Sequence, residues 1–303
     1  MKYEKYQSPM EAWPAIKSLG KKVFLKKNQL NLFYYEAGIG NLNHMLMIHG
    51  LGDEADTWRH VINPLARDHH VLAVDLPGFG RSDKIDREYS PQFFIDTLHE
   101  FLTILDIKKA FLMGSSLGGM LAQGYAVEHP EQIAGLILVG GSLIQEEASI
   151  DLSLKLMQIP LLGKWLYTRL RKNPGGAFDS MRNVYHDLDA MPQKDKDFLY
   201  KRVNQRVWSD GQRHAYFSTL RAMTKWVKKS QKGLAEKLSL HNFPTLIIRG
   251  EFDALFSENY ADSLIQAQAN AAKVVVQESG HLPHQETPTA FLDAVLVWEK
   301  DQI

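Results

Sequence analysis

The chain is 303 residues long, with 45% apolar and 23% charged side chains, enough to bury a sizeable core in one large domain or two small ones. Thirty-five Lys and Arg balance 35 Asp and Glu, so the basic excess typical of a nucleic-acid binder is missing. There is no cysteine, which excludes disulfides, a thiolate nucleophile and a zinc–thiolate site.

The N-terminal MKYEKYQSPMEAWPAIKSLGKK has no apolar h-region, and no run approaches the ~18 apolar residues of a membrane span. Neither a secretory signal nor a transmembrane helix is expected, and a cytoplasmic location is. Phe24–Lys26 and Leu32–Ala37 read as antiparallel strands. His44–Ile48 is a strand, Ala55–Arg67 a helix and Val71–Val74 a strand. Gln92–Leu105 is a helix behind Ser90-Pro91. Ala110–Met113, Leu117–Glu128 and Ile133–Val139 read as strand, helix and strand. Thr245–Arg249, Glu258–Ala267, Lys273–Gln277 and Pro288–Glu299 continue the alternation. Continuously apolar strands separated by helices predict an α/β fold: a mostly parallel sheet flanked by helices on both faces.

The interval 144–241 breaks this rhythm. It reads as helices without a buried strand and carries 18 Lys and Arg against 10 Asp and Glu. We expect an inserted helical cap, or lid, there, over the C-terminal edge of a sheet built from 1–143 and 242–303. A solvated basic face is the plainer reading of its charge.

Gly114-Ser115-Ser116-Leu117-Gly118 matches G-x-S-x-G, the pattern of a nucleophile elbow, and stands between a strand and a helix. A sharp strand-to-helix turn strains its central residue, and flanking glycines let the chain pack without Cβ clashes. Ser116 is then the nucleophile, at the positive end of a helix. Ser115, one place off centre, is expected to pack or position.

A hydroxyl needs a base within hydrogen-bond reach, and the base needs a carboxylate to fix its tautomer. In the order Ser, Asp/Glu, His, two late loops fit: Gly250-Glu251-Phe252-Asp253 and Glu278-Ser279-Gly280-His281. His281 is the expected base, with His284 as rival, and Asp253 the acid, with Glu251 as rival. Gly140, Gly141 and Ser142, which follow the preceding strand, offer no carboxylate. His49-Gly50-Leu51-Gly52-Asp53 is a glycine-rich turn suited to aiming N–H groups at an oxyanion. The N–H of Leu51 and of Leu117 are the expected donors, with His49 bracing the loop.

Together HGLGD (49–53), DLPGFGRSD (75–83), GSSLGG (114–119), GEFDALF (250–256) and SGHLPHQETP (279–288) resemble the α/β-hydrolase superfamily, in its capped branch of small esterases, lipases and carbon–carbon bond hydrolases. The resemblance spans nearly the whole chain outside the expected cap. It implies Ser116, Asp253 and His281 as the triad, Leu51 and Leu117 as oxyanion donors, and Asp75 as scaffold. Serine at the nucleophile position argues against haloalkane dehalogenases and epoxide hydrolases, which use aspartate.

The expected chemistry is two-step acyl transfer on a carboxylic ester with a small or medium apolar acyl group, needing no metal or organic cofactor. Cap aromatics such as Trp165, Tyr167, Phe178, Tyr185, Trp208, Tyr216 and Trp226 either line an apolar pocket or form the cap's own core. The cap's basic excess suits a carboxylate-bearing substrate or contact with an anionic membrane surface. Two alternatives stay open. One is a carbon–carbon bond hydrolase of a dienoate, with Arg169, Arg182, Arg206 or Arg213 facing the substrate carboxylate. The other is a ligand receptor on the same fold.

Overall fold

The computed structural model describes residue 6 and residues 9–143, 159–231, 233–241, 243–268 and 270–300. The start of the expected cap, 144–158, lies outside the described residues.

Eight strands form one sheet: β1 (Gly20–Leu25), β2 (Leu30–Ala37), β3 (Asn43–Ile48), β4 (His69–Val74), β5 (Ala110–Ser115), β6 (Ile133–Val139), β7 (Thr245–Gly250) and β8 (Ala271–Val276). Their order is 1-2-4-3-5-6-7-8. β1 pairs with β2 and β2 with β4 in antiparallel fashion, and the strands from β3 to β8 run parallel. The parallel part is apolar on both faces, as alternation along a covered strand requires. Leu46 and Ile48 of β3 enter one cluster with Phe94, Leu98 and Phe101, while Met45 and Met47 enter the other with Trp58, Phe291 and Trp298.

Among the described residues the helices are α1 (Ile62–Leu65), α2 (Pro91–Ile104), α3 (Leu117–Glu128), α4 (Pro160–Arg169), α5 (Pro174–Asp179), α6 (Gln193–Trp208), α7 (Asp210–Gln231), α8 (Leu234–Ser239), α9 (Glu258–Ala267), α10 (Pro283–Glu286) and α11 (Pro288–Lys300). α2 starts where Ser90 caps it: the Ser90 hydroxyl accepts the Phe93 N–H at 3.2 Å. α2 and α3 cover one face of the sheet, α1 and α11 the other.

The helix expected over Ala55–Arg67 is instead a 3₁₀ turn, Ala55–Trp58, followed by the short α1. Pro64 lacks an N–H and its ring would collide with a carbonyl four residues back, so a helix must restart close before it. The polar side chains of the turn are also drawn in different directions. Asp56 accepts from the Trp13 N–H and the Tyr35 hydroxyl, while Arg59 donates to Asp195.

α4 to α8 lie in the chain between β6 and β7. Part of this segment has its own apolar cluster, built on Ala177, Leu188, Leu199 and Val203, which also takes in Leu282 of the histidine loop. α7 packs onto α3, where a Cβ on Gly124 would stand 2.8 Å from the Trp226 ring. Leu234 and Leu238 of α8 join the core under that face of the sheet.

Candidate active site

Ser116 stands between the end of β5 and the first turn of α3, with φ +53° and ψ −116°. A non-glycine residue at positive φ is strained and persists only where its surroundings hold it. Its N–H donates to the Val139 carbonyl of the neighbouring strand at 2.8 Å. α3 then closes on β3: a Cβ on Gly118 would lie 2.1 Å from the Ile48 carbonyl oxygen, so that position needs glycine. Ser115 is 1% exposed and faces the interior.

Asp253 follows β7 and His281 follows β8, so parallel neighbours deliver both to one edge. His281 Nδ1 lies 3.0 Å from both Asp253 carboxylate oxygens. That carboxylate is itself fixed, Oδ1 accepting the N–H of Leu255 and of Phe256 at 2.9 Å each. The Arg249 guanidinium holds the loop from beneath, donating to the carbonyls of Phe256 (2.9 Å), Glu251 (3.1 Å) and Asp253 (3.3 Å).

His281 Nε2 is buried and has no hydrogen-bond partner among the described residues, so the Ser116 hydroxyl is not bonded to it in this structure. The groups are nonetheless near one another. Gly140 and Gly141, adjacent after β6, touch one each. A Cβ on Gly140 would lie 2.9 Å from His281 Nδ1 and 3.2 Å from Asp253 Oδ2, and a Cβ on Gly141 would lie 2.0 Å from the Ser116 carbonyl oxygen. Their Cα atoms are about 3.8 Å apart across one peptide.

Both rivals are otherwise engaged. His284 is fully buried against the Trp58 ring at 4.3 Å, with Nε2 2.9 Å from the Thr57 hydroxyl. Burial holds it well below the usual imidazole range, so it stays neutral. The Glu251 carboxylate accepts the Glu278 N–H at 3.1 Å.

Gly50 lies beside the nucleophile, where a Cβ would stand 3.3 Å from Ser116 Cβ. The turn carrying Leu51 is thus adjacent to Ser116, and Leu117 opens α3 directly after it. His49 braces this turn. Its Nε2 accepts the Leu76 N–H at 2.9 Å, which leaves the ring proton on Nδ1 for the Gly50 carbonyl at 2.7 Å. Asp75 is fully buried beneath, accepting the N–H of Ala55 at 2.7 Å and of Arg81 at 2.6 Å.

A buried ion-pair network continues from the turn into α6. Arg206 Nε donates to Glu54 Oε2 at 2.8 Å, and Nη2 to Glu54 Oε1 at 2.7 Å and to Asp53. Burial alone would raise the Glu54 carboxyl, but the Arg206 guanidinium overrides it and holds it at about 2. From α7, Tyr216 lies 3.1 Å from where a Cβ on Gly52 would stand. Sequence reasoning missed this grip on the turn, and it missed Arg249; acidic residues next to HGLG were the available signal.

Of the four arginines proposed to meet a substrate carboxylate, Arg206 is taken by Asp53 and Glu54, Arg182 by Asp189 at 2.7 Å and Arg213 by Asp210 at 3.0 Å. Arg169 lies over the exposed Trp165 ring at 4.6 Å. Among the described residues no group of three or more His, Asp or Glu gathers as a metal site, and no helix is long and apolar enough to cross a membrane. A concavity of about 470 Å³ beside Lys84, Arg171 and Gln212 includes none of Ser116, Asp253 and His281.

The comparisons agree with this architecture. The sequence profile of the α/β hydrolase fold matches residues 43–288. The chain is 33% identical over 263 residues to 2-hydroxymuconate semialdehyde hydrolase of Pseudomonas sp. (strain CF600), covering 83% of this chain and 84% of that one. It is 25% identical over 274 residues to pimeloyl-[acyl-carrier protein] methyl ester esterase of Hamiltonella defensa, covering 88% and 96%. Among solved structures it resembles the meta-cleavage product hydrolase of Pseudomonas fluorescens IP01, with a TM-score of 0.76 and 20% identity over 94% of this chain and 99% of that one. From the profile match and the 33% identical relative, the chain belongs to the α/β-hydrolase fold family.

Proposed function

We propose that the protein is a serine hydrolase that cleaves a carboxylic ester by acyl transfer, with Ser116 as nucleophile, His281 as base and Asp253 as the acid that orients it. The observation that carries this reading is the pairing of His281 Nδ1 with Asp253 at 3.0 Å, beside a serine held at φ +53°. The carboxylate keeps the imidazole proton on Nδ1, so Nε2 is free to take the Ser116 proton. Ser116 attacks the carbonyl, and the N–H groups of Leu51 and Leu117 bind the oxyanion. His281 returns the proton to the leaving alcohol, and water repeats the sequence on the acyl-enzyme. The segment 144–241 acts as the cap, and the acyl group is small or medium and apolar.

The second reading, hydrolysis of a carbon–carbon bond in a dienoate, draws support from the 33% identical semialdehyde hydrolase. It needs a cation for the substrate carboxylate. Of the four candidate arginines, Arg182, Arg206 and Arg213 are committed to carboxylates within the chain and only Arg169 is left for that part, which favours the ester. A p-nitrophenyl ester chain-length series run beside a ring-cleavage dienoate decides. We expect turnover of short or medium esters that Ser116→Ala abolishes. Inertness towards esters with turnover of the dienoate would establish the second reading, and tight binding without turnover a receptor.

A further inference from the structure

The loop that carries His281 is gripped by a carboxylate for which the acyl-transfer chemistry has no use. Glu286 closes α10, five residues on. Its Oε1 accepts the N–H of Gly280 at 2.9 Å and of Leu282 at 3.4 Å, the two residues flanking His281. Its Oε2 accepts the N–H of His186 at 2.6 Å. His186 belongs to the segment between α5 and α6, inserted between β6 and β7. That segment also binds the histidine itself, since the His281 N–H donates to the Val184 carbonyl at 2.9 Å. The fit leaves no slack: a Cβ on Gly280 would stand 2.6 Å from the His186 nitrogen. Side chains reinforce the contact. The Tyr185 hydroxyl donates to Gln285 at 3.0 Å, and the His186 ring stacks on Phe252 at 3.9 Å, next to Asp253.

All three groups facing Glu286 are N–H donors. An ionised carboxylate offers acceptors only and can satisfy them together. A protonated or amidated side chain turns one of its two ends into a donor facing an N–H, and at least one bond is lost. Burial pushes the Glu286 carboxyl up, and the three amide bonds pull it back.

We propose that Glu286 is a positioning residue: its carboxylate sets the place of the His281 ring and latches the inserted segment Val184–His186 to the histidine loop, so that moving the segment unseats the base. This rests on the reading of His281 as base. A shift of about 1 Å in a catalytic group costs on the order of 100-fold in rate.

The test is steady-state kinetics on a p-nitrophenyl ester together with the second-order rate of fluorophosphonate labelling, both well below the melting transition. Glu286→Gln is expected to lower kcat about 10- to 100-fold with KM changed less than about threefold, and labelling slows in proportion. Glu286→Asp, which keeps the charge but falls one methylene short, recovers part of the loss. An unchanged kcat in Glu286→Gln, or a raised KM with kcat intact, overturns the proposal. If Glu286→Gln does not fold, Glu286→Asp decides by the same split: reduced kcat supports positioning, and wild-type kcat overturns it. A wild type that resists labelling, or labelling that survives Ser116→Ala, overturns the catalytic reading itself and this inference with it.

Discussion

Ser116 is held at positive φ by its neighbours rather than by its own preference, a strain on the order of 1–3 kcal/mol that the β5–α3 junction supports. The same crowding explains Gly140 and Gly141. Read as letters after a strand, they register only as an absence of carboxylate; in three dimensions they are the space into which the His281 ring and the Ser116 backbone fit. Gly140 also has φ +59°. Gly140→Ala should therefore push the His281–Asp253 pair out of place and lower kcat on an ester by about 100-fold, with KM little altered. Kinetics on folded protein, checked by thermal melting, measure this, and a kcat within twofold of wild type would count against the placement. The residues proposed as the triad, Ser116, Asp253 and His281, stand out in the sequence because each sits in a short local pattern at the end of an apolar strand. Arg249 and Glu286 were not, because their partners are main-chain groups that any residue type supplies.

At the scale of elements, the regular strands and helices could be read from apolar periodicity, and α3, β6 and α9 have the expected ends. The broken helix over Ala55–Arg67 was legible only in part: Pro64 is a local signal, but Asp56 and Arg59 answer to Trp13, Tyr35 and Asp195 far along the chain. Arg206 meets Glu54 across 152 residues of chain, and Glu286 meets His186 across 100. No local window carries such a pairing. α6 is thus tied to the turn that carries Leu51 by a buried arginine between two carboxylates. Arg206→Met removes the hydrogen-bonded partner of Asp53 and Glu54 and leaves Glu54 only the Arg202 guanidinium at 3.8 Å, and we expect a loss of about 3 kcal/mol in urea unfolding. A loss under about 1 kcal/mol would mean that the pairing contributes little to holding α6 on the turn.

For the whole molecule, the buried Glu54 and the half-buried Glu286 act on stability with opposite sign. Glu54, depressed to about 2 in the folded chain, contributes stability that is complete above its ordinary value of 4.5 and is lost as pH falls through about 2. The shift corresponds to about 3 kcal/mol. Glu286, raised by burial, acts in the other sense: as pH rises from 4.5 through its folded value the folded chain takes on the cost of burying the charge, which the three amide bonds offset only in part. The Glu54 effect dominates below pH 4.5, so resistance to urea should fall steadily over that range, and a flat profile would contradict the assignment. The fold as a whole was legible because a covered parallel sheet imposes apolar runs, whereas the substrate was not, since no short pattern in the helices between β6 and β7 says which of their side chains meet it. The most direct test of the central claim is intact mass and peptide mapping after fluorophosphonate treatment. The account predicts one adduct per chain, on the peptide bearing Ser116, and none in Ser116→Ala. An adduct on another residue, or an undiminished one in the variant, would contradict it.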